Sequence, residues 1–252
     1  MDSFVHEQSI VRKIWGQSDT VLLVFAGASA EFALNKAVDW LYFTGRLPSD
    51  PLGRLFSTVV YAQKIVFAEK DAALAAIDRI SAIHRGVEQQ RNDRIPDEAY
   101  LDVLFMLIDY SIRSFELLQR KLTTEEKGEV FDVFNRVGAR MGLKGLPANY
   151  EEWEKMRAEY LRENLVTSDF SLDLYRQYQR HLGAFRYQLL LQAQVLLVPK
   201  RVRQLLLLPS FPFLWPAVQL YKALRLLRMD GWLKNSLVPA SYRTQVGRLD
   251  VS

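Results

Sequence analysis

Apolar positions recur at three- and four-residue spacing along most of this chain, and no stretch alternates at the period of two that a half-buried strand requires. The pattern predicts an all-helical protein. The first apolar run, Thr20-Val21-Leu22-Leu23-Val24-Phe25, follows Ser18-Asp19 as an N-cap signal and continues through alanine-rich sequence to about Trp40. Its first half is apolar nearly all round, which predicts a central helix. Thr44-Gly45-Arg46-Leu47-Pro48 breaks the pattern, and Asp50-Pro51 restarts it with a capping carboxylate and a proline at the first helical position, for a helix reaching about Phe67.

A helix over 71–89 sets Leu74, Ile77, Ile80, Ile83, His84 and Val87 on one stripe, so His84 is predicted to point inward. After a polar loop over 89–96, Tyr100, Leu101, Leu104, Phe105, Ile108 and Ile112 mark a strongly apolar helix ending near Lys121. Thr123-Thr124-Glu125-Glu126 reads as a capping box, and the helix it opens ends at Met141-Gly142, where glycine suits a left-handed cap. Asn149 with Glu152 repeats the capping signal for a helix through about Glu163, and 170–198 is a further long helical region. The stretch 205–227 is hydrophobic, but Pro209, Pro212 and Pro216 break it and Lys222 and Arg225 charge its far end, making it a poor membrane span. Two readings of it remain: a buried helix–turn–helix that closes the core, or a surface that dips into a bilayer to meet lipid-like molecules.

Length and composition narrow the class. The 252 residues fit one large domain over 1–252, with 1–17 expected as a peripheral segment. A hydrophobic share of 49% beside 25% charged residues is that of a globular protein, and a net charge of +4 with interleaved signs argues against nucleic acid as a partner. The absence of cysteine removes disulfides, zinc thiolate sites, iron–sulfur clusters and thiolate-ligated haem. The first eleven residues lack the basic and apolar regions of a secretory signal, so a cytoplasmic location is expected, with membrane association left open by 205–227.

Candidate chemistry rests on few residues. His6, His84 and His181 are the only imidazoles, and His6 is expected in a mobile end. Arg54 and Thr58 lie one helical turn apart, with Tyr61 continuing the row. If this helix and the next face one cavity, His84 can hold iron with a guanidinium and a hydroxyl across from it. Equally, Arg54 can sit in a structural ion pair, Thr58 can satisfy its own helix carbonyl, and His84 can be a hydrogen-bonded core histidine. An all-helical fold favours haem, which fits between packed helices and is held by one proximal histidine. His84 and Glu88 could bind a divalent ion, but the paired Glu-x-x-His motifs of a di-iron bundle are missing, as are a phosphate loop, a Gly-x-Ser-x-Gly elbow and His-Glu-x-x-His.

The order of motifs resembles a family. Asp-Pro-x-x-Arg-Leu-x-x-Thr over 50–58, Ala-Ile-His-Arg-Gly-Val over 82–87, a long apolar helix, Leu-Thr-x-x-Glu over 122–126, Gly-Leu-x-Gly-Leu-Pro over 142–147 and Val-Pro-x-x-Val-Arg-x-Leu-Leu over 198–206 are similar to the MpaB and rubber-oxygenase (latex-clearing protein) family. The resemblance implies a globin-reminiscent fold with haem b between central helices, and an enzyme using O2 to cleave carbon–carbon double bonds of isoprenoid chains. It implies His84 as proximal iron ligand, with Arg54 orienting bound oxygen or stabilising its developing charge and Thr58 donating a hydrogen bond to it. Rubber oxygenases carry a lysine just before the distal threonine where this chain has Ser57, so a lysine-ligated closed state is not expected. Their distal glutamate has no aligned counterpart, Glu31 falling on the preceding helix. The expected function is a haem b-dependent oxygenase acting on an apolar, isoprenoid or other unsaturated lipid-like substrate, in a pocket lined by residues such as Phe25, Tyr61, Phe105 and Ile108. The alternative is a non-catalytic helical protein that binds lipid or a membrane surface, its haem pocket degenerate.

Overall fold

A computed structural model describes residues 3–43, 45, 49–209, 211–226 and 250, without the side chains of 41, 51, 52, 54–56 and 224–226. The chain is all-α: α1 (Ile10–Trp15), α2 (Ser18–Phe32), α3 (Asp39–Phe43), α4 (Pro51–Phe67), α5 (Lys70–Arg91), α6 (Asp97–Leu118), α7 (Thr124–Met141), α8 (Tyr150–Glu163), α9 (Asp169–Leu197), α10 (Lys200–Leu205) and α11 (Trp215–Leu226). Extended pairing among the described residues is limited to two isolated bridges, Ser3 with Glu69 and Asn35 with Leu165.

The local signals act as their chemistry dictates. Asp50 Oδ1 accepts from Gly53 N at 2.8 Å with Pro51 at the start of α4, Thr123 and Glu126 cap α7 reciprocally, Asn149 accepts from Glu152 N, and Gly142 ends α7 at φ 77°. The start of α2 differs. Gln17 is its N-cap and makes no side-chain cap bond, while Asp19 accepts from Thr20 N inside the first turn. The run expected to reach Trp40 stops at Phe32, because Asn35 turns the chain: its Oδ1 accepts from Ala37 N, and Leu34 N and Asn35 N close short turns. Asp39 then opens the separate helix α3.

The core forms around α2 and α6, the most extensively paired helices, with α1, α7 and α8 closing over them. Gly27 brings α2 against the ring of Tyr110 so closely that a Cβ at 27 would overlap it. The segment expected to be peripheral is part of this core, since Val5, Ile10, Val11, Ile14 and Trp15 are all buried. Trp15 packs edge-on to Phe25 and donates from Nε1 to Ser111 Oγ at 3.2 Å. The reading of 205–227 as a buried closure fails among the described residues: Leu207, Phe211, Phe213, Trp215 and Leu220 are exposed.

Candidate functional site

Two residues, Ala68 and Glu69, join α4 to α5, and the two helices pack together as an αα-hairpin. Arg54 stands thirteen residues before the end of α4 and His84 fourteen after the start of α5. At 1.5 Å per residue these are heights of about 20 and 21 Å above the link, with Thr58 lower at about 14 Å. The hairpin therefore brings the backbones of Arg54 and His84 to one level, while Thr58 sits one turn nearer the link. The Arg54 side chain lies outside the described atoms; that of Thr58 is half-buried.

His84 is half-buried, not fully inward as its stripe suggests. Ala73 and Ile77 seat the first half of α5 in the core, whereas Ile80, His84 and Val87 are half-covered and Ile83 is exposed. The imidazole stacks at a tilt against the Tyr100 ring of α6, centroids 5.1 Å apart. Glu88, one turn on, accepts from Ile95 N at 3.0 Å and from the Tyr100 hydroxyl at 3.4 Å, which commits it to closing the loop after α5. Burial first, then the Glu88 charge, push the Tyr100 phenol well above its ordinary range, so it stays a neutral donor.

A ring of contacts surrounds this end of the hairpin. Two turns beyond His84, Arg91 pairs with Asp39 of α3 at 2.8 Å and lies over the Trp40 ring, 4.0 Å from its centroid. Tyr42 of α3 stacks on Phe170 and donates to Asp173 Oδ2 at 3.0 Å, tying α3 to α9. His181 of α9 then reaches the chain just before α4: Nε2 meets Ser49 O at 3.1 Å and Nδ1 meets Gln177 O at 2.8 Å. Each ring nitrogen of His181 lies within hydrogen-bond distance of a carbonyl, so whichever carries the proton can donate, and the side chain sits between α9 and the entrance of α4. His6 accepts from Gln8 N through Nδ1. Of the three imidazoles, His84 is the one carried on the same stripe as Ile77, Ile80 and Val87.

The donor set can be matched to a cofactor. Haem brings four nitrogen donors and asks the protein for one axial imidazole. His84, between Ile80 and Val87 on α5, is a single imidazole of the kind that demand calls for. The expected lining is partly displaced. Phe105 and Ile108 are fully buried, with Phe105 set against Trp153 and Tyr160 of α8, and Phe25 is locked on Trp15, so these three belong to the core. Tyr61 is half-buried with Lys64 near its face, 5.9 Å from the centroid.

A second polar centre lies inside the core, and periodicity alone did not reveal it. Glu31 of α2, 2% exposed, receives Nη1 and Nη2 of Arg157 of α8, 5% exposed, at 2.5 and 2.6 Å. Arg157 also donates to Asp109 Oδ2 at 3.0 Å, Arg113 to Asp109 Oδ1 at 2.6 Å, and the Tyr110 hydroxyl to Glu31 Oε2 at 2.9 Å. Burial disfavours the Arg157 charge, and Glu31 and Asp109 more than offset it, so the guanidinium stays ionised. One turn-pair earlier on α6, Asp102 accepts from Asn35 at 2.5 Å and Asn164 at 3.2 Å, joining the loops after α2 and α8. Burial raises its carboxyl to about 6 despite those two amides. The signal available in the sequence was two aspartates, Asp102 and Asp109, seven apart in the stretch 101–112 of α6, which holds no other charged residue. Asp109 and Arg157 also reach a cleft of about 590 Å³ beside Trp153, Arg113, Glu116 and Lys222.

No curated protein and no solved structure matches the chain. The family model described as ER-bound oxygenase mpaB/B'/Rubber oxygenase, catalytic domain, matches residues 12–231. That stretch holds the α4–α5 hairpin, the buried Glu31–Arg157 pair and every helix from α2 to α11, and the chain therefore belongs to the MpaB/rubber-oxygenase family of oxygenases.

Proposed function

We propose that this chain is a haem b-dependent oxygenase that uses O2 to attack or cleave carbon–carbon double bonds in an apolar, isoprenoid or other unsaturated lipid-like substrate. The observation that carries the reading is the half-buried His84, set between Ile80 and Val87 on its stripe and against the Tyr100 ring, on a helix hairpin that brings the backbone of Arg54 to its level. His84 would hold the haem, and the Tyr100 ring against the imidazole limits its rotation. Haem iron, when bound, supplies the activation of dioxygen. Arg54 and Thr58, carried on the facing helix, would supply a fixed positive charge and a hydroxyl donor to the reacting oxygen. Ser57 offers no amine to compete for iron.

Glu31 has no place as a base in this reading. Both its oxygens are occupied by Arg157, and Tyr110 donates to one of them. The reading gives the other residues around the hairpin a positioning role: Trp40, Tyr42 and Phe170 join α3 to α5 and α9.

An absorbance spectrum of protein from haem-supplemented cells, with a pyridine haemochrome assay, tests this. The expected result is a Soret band and about one b-type haem per chain, lost in His84→Ala. A colourless chain that takes up no haem, or a His84→Ala variant with an unchanged spectrum, overturns it. The competing reading, a lipid-surface-binding protein without chemistry, is favoured by the first of those two outcomes.

A further inference from the structure

Beyond the helical body, the chain from α10 to α11 shows apolar side chains that the fold does not use. Leu207 is 89% exposed, Phe213 68% and Phe211 64%, and Trp215 and Leu220 are at least half-exposed. The segment is nonetheless anchored. Phe213 N donates to Gln192 Oε1 at 3.1 Å, the Tyr221 hydroxyl donates to Asp19 Oδ2 at 2.7 Å, and the Phe211 and Phe213 rings meet edge-on with centroids 5.1 Å apart. Five large apolar residues within fourteen positions, held outward on a tethered segment, form a patch of the kind that monomeric soluble proteins avoid.

Leu207 adds an independent observation. It follows α10 as the left-handed residue of a helix-ending motif, with φ 52°, while Leu207 N bonds Gln204 O and Leu208 N bonds Arg203 O. Glycine is the residue that such a position favours, because a Cβ is strained there. A leucine in that conformation is unfavourable for the backbone, and its exposure to water adds no packing in return. Both features make sense for a side chain whose partner lies outside the chain.

Charge identifies the partner. Residues 174–229 contain nine Lys and Arg and no Asp or Glu, whereas the other 196 residues contain 24 Lys and Arg against 29 Asp and Glu. The formal charge is therefore +9 in this segment and −5 over the rest of the chain. Lys200 and Arg201 are exposed on α10 beside the apolar residues, and Lys222 lies on α11. Trp215 and Lys222 border the cleft that Asp109, Glu116 and Glu154 also line, so the basic character of the segment is carried outward by Lys200 and Arg201. Exposed aromatic and leucine side chains on a segment whose own charges are all basic match the boundary of an anionic bilayer, where rings sit at headgroup level and cations pair with lipid phosphates and carboxylates. None of the described helices is long and apolar enough to cross a membrane, so the contact is with the surface.

We infer that the face carrying Leu207, Phe211, Phe213, Trp215 and Leu220 docks this protein onto an anionic lipid surface. The inference uses no residue of the His84 site, so it stands or falls apart from the haem reading.

The test is flotation of the full chain with phosphatidylcholine vesicles, with and without phosphatidylserine. The wild type should float with the anionic vesicles, and less so when salt rises from about 0.1 to about 0.5 M, which shortens the Debye length from about 10 Å to about 4 Å. Phe211→Ser with Phe213→Ser should lower the partition roughly tenfold or more with an unchanged far-ultraviolet spectrum. Leu207→Gly should also weaken flotation while melting no lower than the wild type, which separates lipid contact from fold damage. Flotation unaffected by these substitutions, or no flotation with anionic vesicles, overturns the proposal. So does a wild-type dimer that Phe211→Ser with Phe213→Ser converts to monomer without any change in vesicle binding, because the face would then belong to a second copy.

Discussion

Arg157 grips Glu31 with its two terminal guanidinium nitrogens, 2.5 and 2.6 Å from the two carboxylate oxygens, and so joins α8 to α2 through the core. Because the pair is almost fully removed from water, the consequence of breaking it is set by the partner left behind. Arg157→Met would leave Glu31 buried without its cation, Asp109 retaining Arg113, and a loss of about 3–5 kcal/mol in unfolding free energy is expected. Adding Glu31→Gln should recover part of that loss. Chemical denaturation of the single and double variants checks both statements, and a single variant within about 0.5 kcal/mol of the wild type would refute the first.

Asp102 sets a pH dependence. Its carboxyl is raised from 3.8 to about 6 by burial, so the folded chain binds more protons than the unfolded chain between those values. Stability attributable to this group is therefore greatest at low pH, falls as pH rises through that window, and stays lower above it, by about 1–3 kcal/mol. Unfolding midpoints of the wild type and Asp102→Asn from pH 4.5 to 7.5 are the measurement. The variant should lose this component of the slope, and parallel curves for the two proteins would show that Asp102 does not titrate as argued.

Close packing at Gly27 gives a third expectation. Gly27→Ala puts a methyl group into the Tyr110 ring, which must shift and draw its hydroxyl from Glu31. Overpacking of this kind is expected to lower stability by about 1–3 kcal/mol, and Tyr110→Phe, which removes the hydrogen bond alone, by about 1–2 kcal/mol. If Gly27→Ala melts at the wild-type temperature, the two helices do not approach as closely as described.

The helices and their caps were legible because their determinants are local. Asp50-Pro51, Thr123 with Glu126, Asn149 and Gly142 act within one turn of themselves, so spacing alone identifies them. For the candidate residues, what was legible is their placement: Arg54 and Thr58 lie on α4 and His84 on α5, the two successive helices that the spacing predicted. Long-range relations were not legible. Nothing near Glu31 announces Arg157, 126 positions away, and a stripe of apolar residues on α5 does not say where its cover ends, which is why His84 is half-buried while Ile77 is fully so. The break after Phe32 depended on Asn35, whose partner Asp102 comes from α6 and is shared with Asn164, the residue that follows α8. The exposed aromatics after Leu206 were hidden by the same logic, since hydrophobicity along the chain does not report whether another element covers it.

Arg54 and Thr58 should separate cofactor retention from turnover. Neither is the iron ligand in the proposed reading, so Arg54→Gln and Thr58→Val should keep the Soret absorbance and the haem content of the wild type. Turnover should fall by about 10²–10³ for the loss of a preorganised donor, read as oxygen consumption with an unsaturated isoprenoid. Loss of haem in Thr58→Val together with its retention in His84→Ala would exchange the roles of the two helices.

The kink in α9 joins fold to site. Gly183 interrupts the helix at φ 72° and ψ 167°, a combination open essentially to glycine alone, two residues after His181 ties α9 to Ser49 at the entrance of α4. Without the kink, a straight helix would carry His181 or the second half of α9 away from its present contacts, since Gln194 bonds Ser29 and Tyr175 from that half. Gly183→Ala should therefore cost about 1–3 kcal/mol in stability, whereas Gly86→Ala, an open helical position on α5, should be neutral or stabilising. If the α9 turn also holds the start of α4 in place, Gly183→Ala should loosen haem in a protein that is still folded, measured as faster transfer of haem to apomyoglobin. Equal stability and equal transfer rates for Gly183→Ala and the wild type would show that the kink supports neither the fold nor the hairpin.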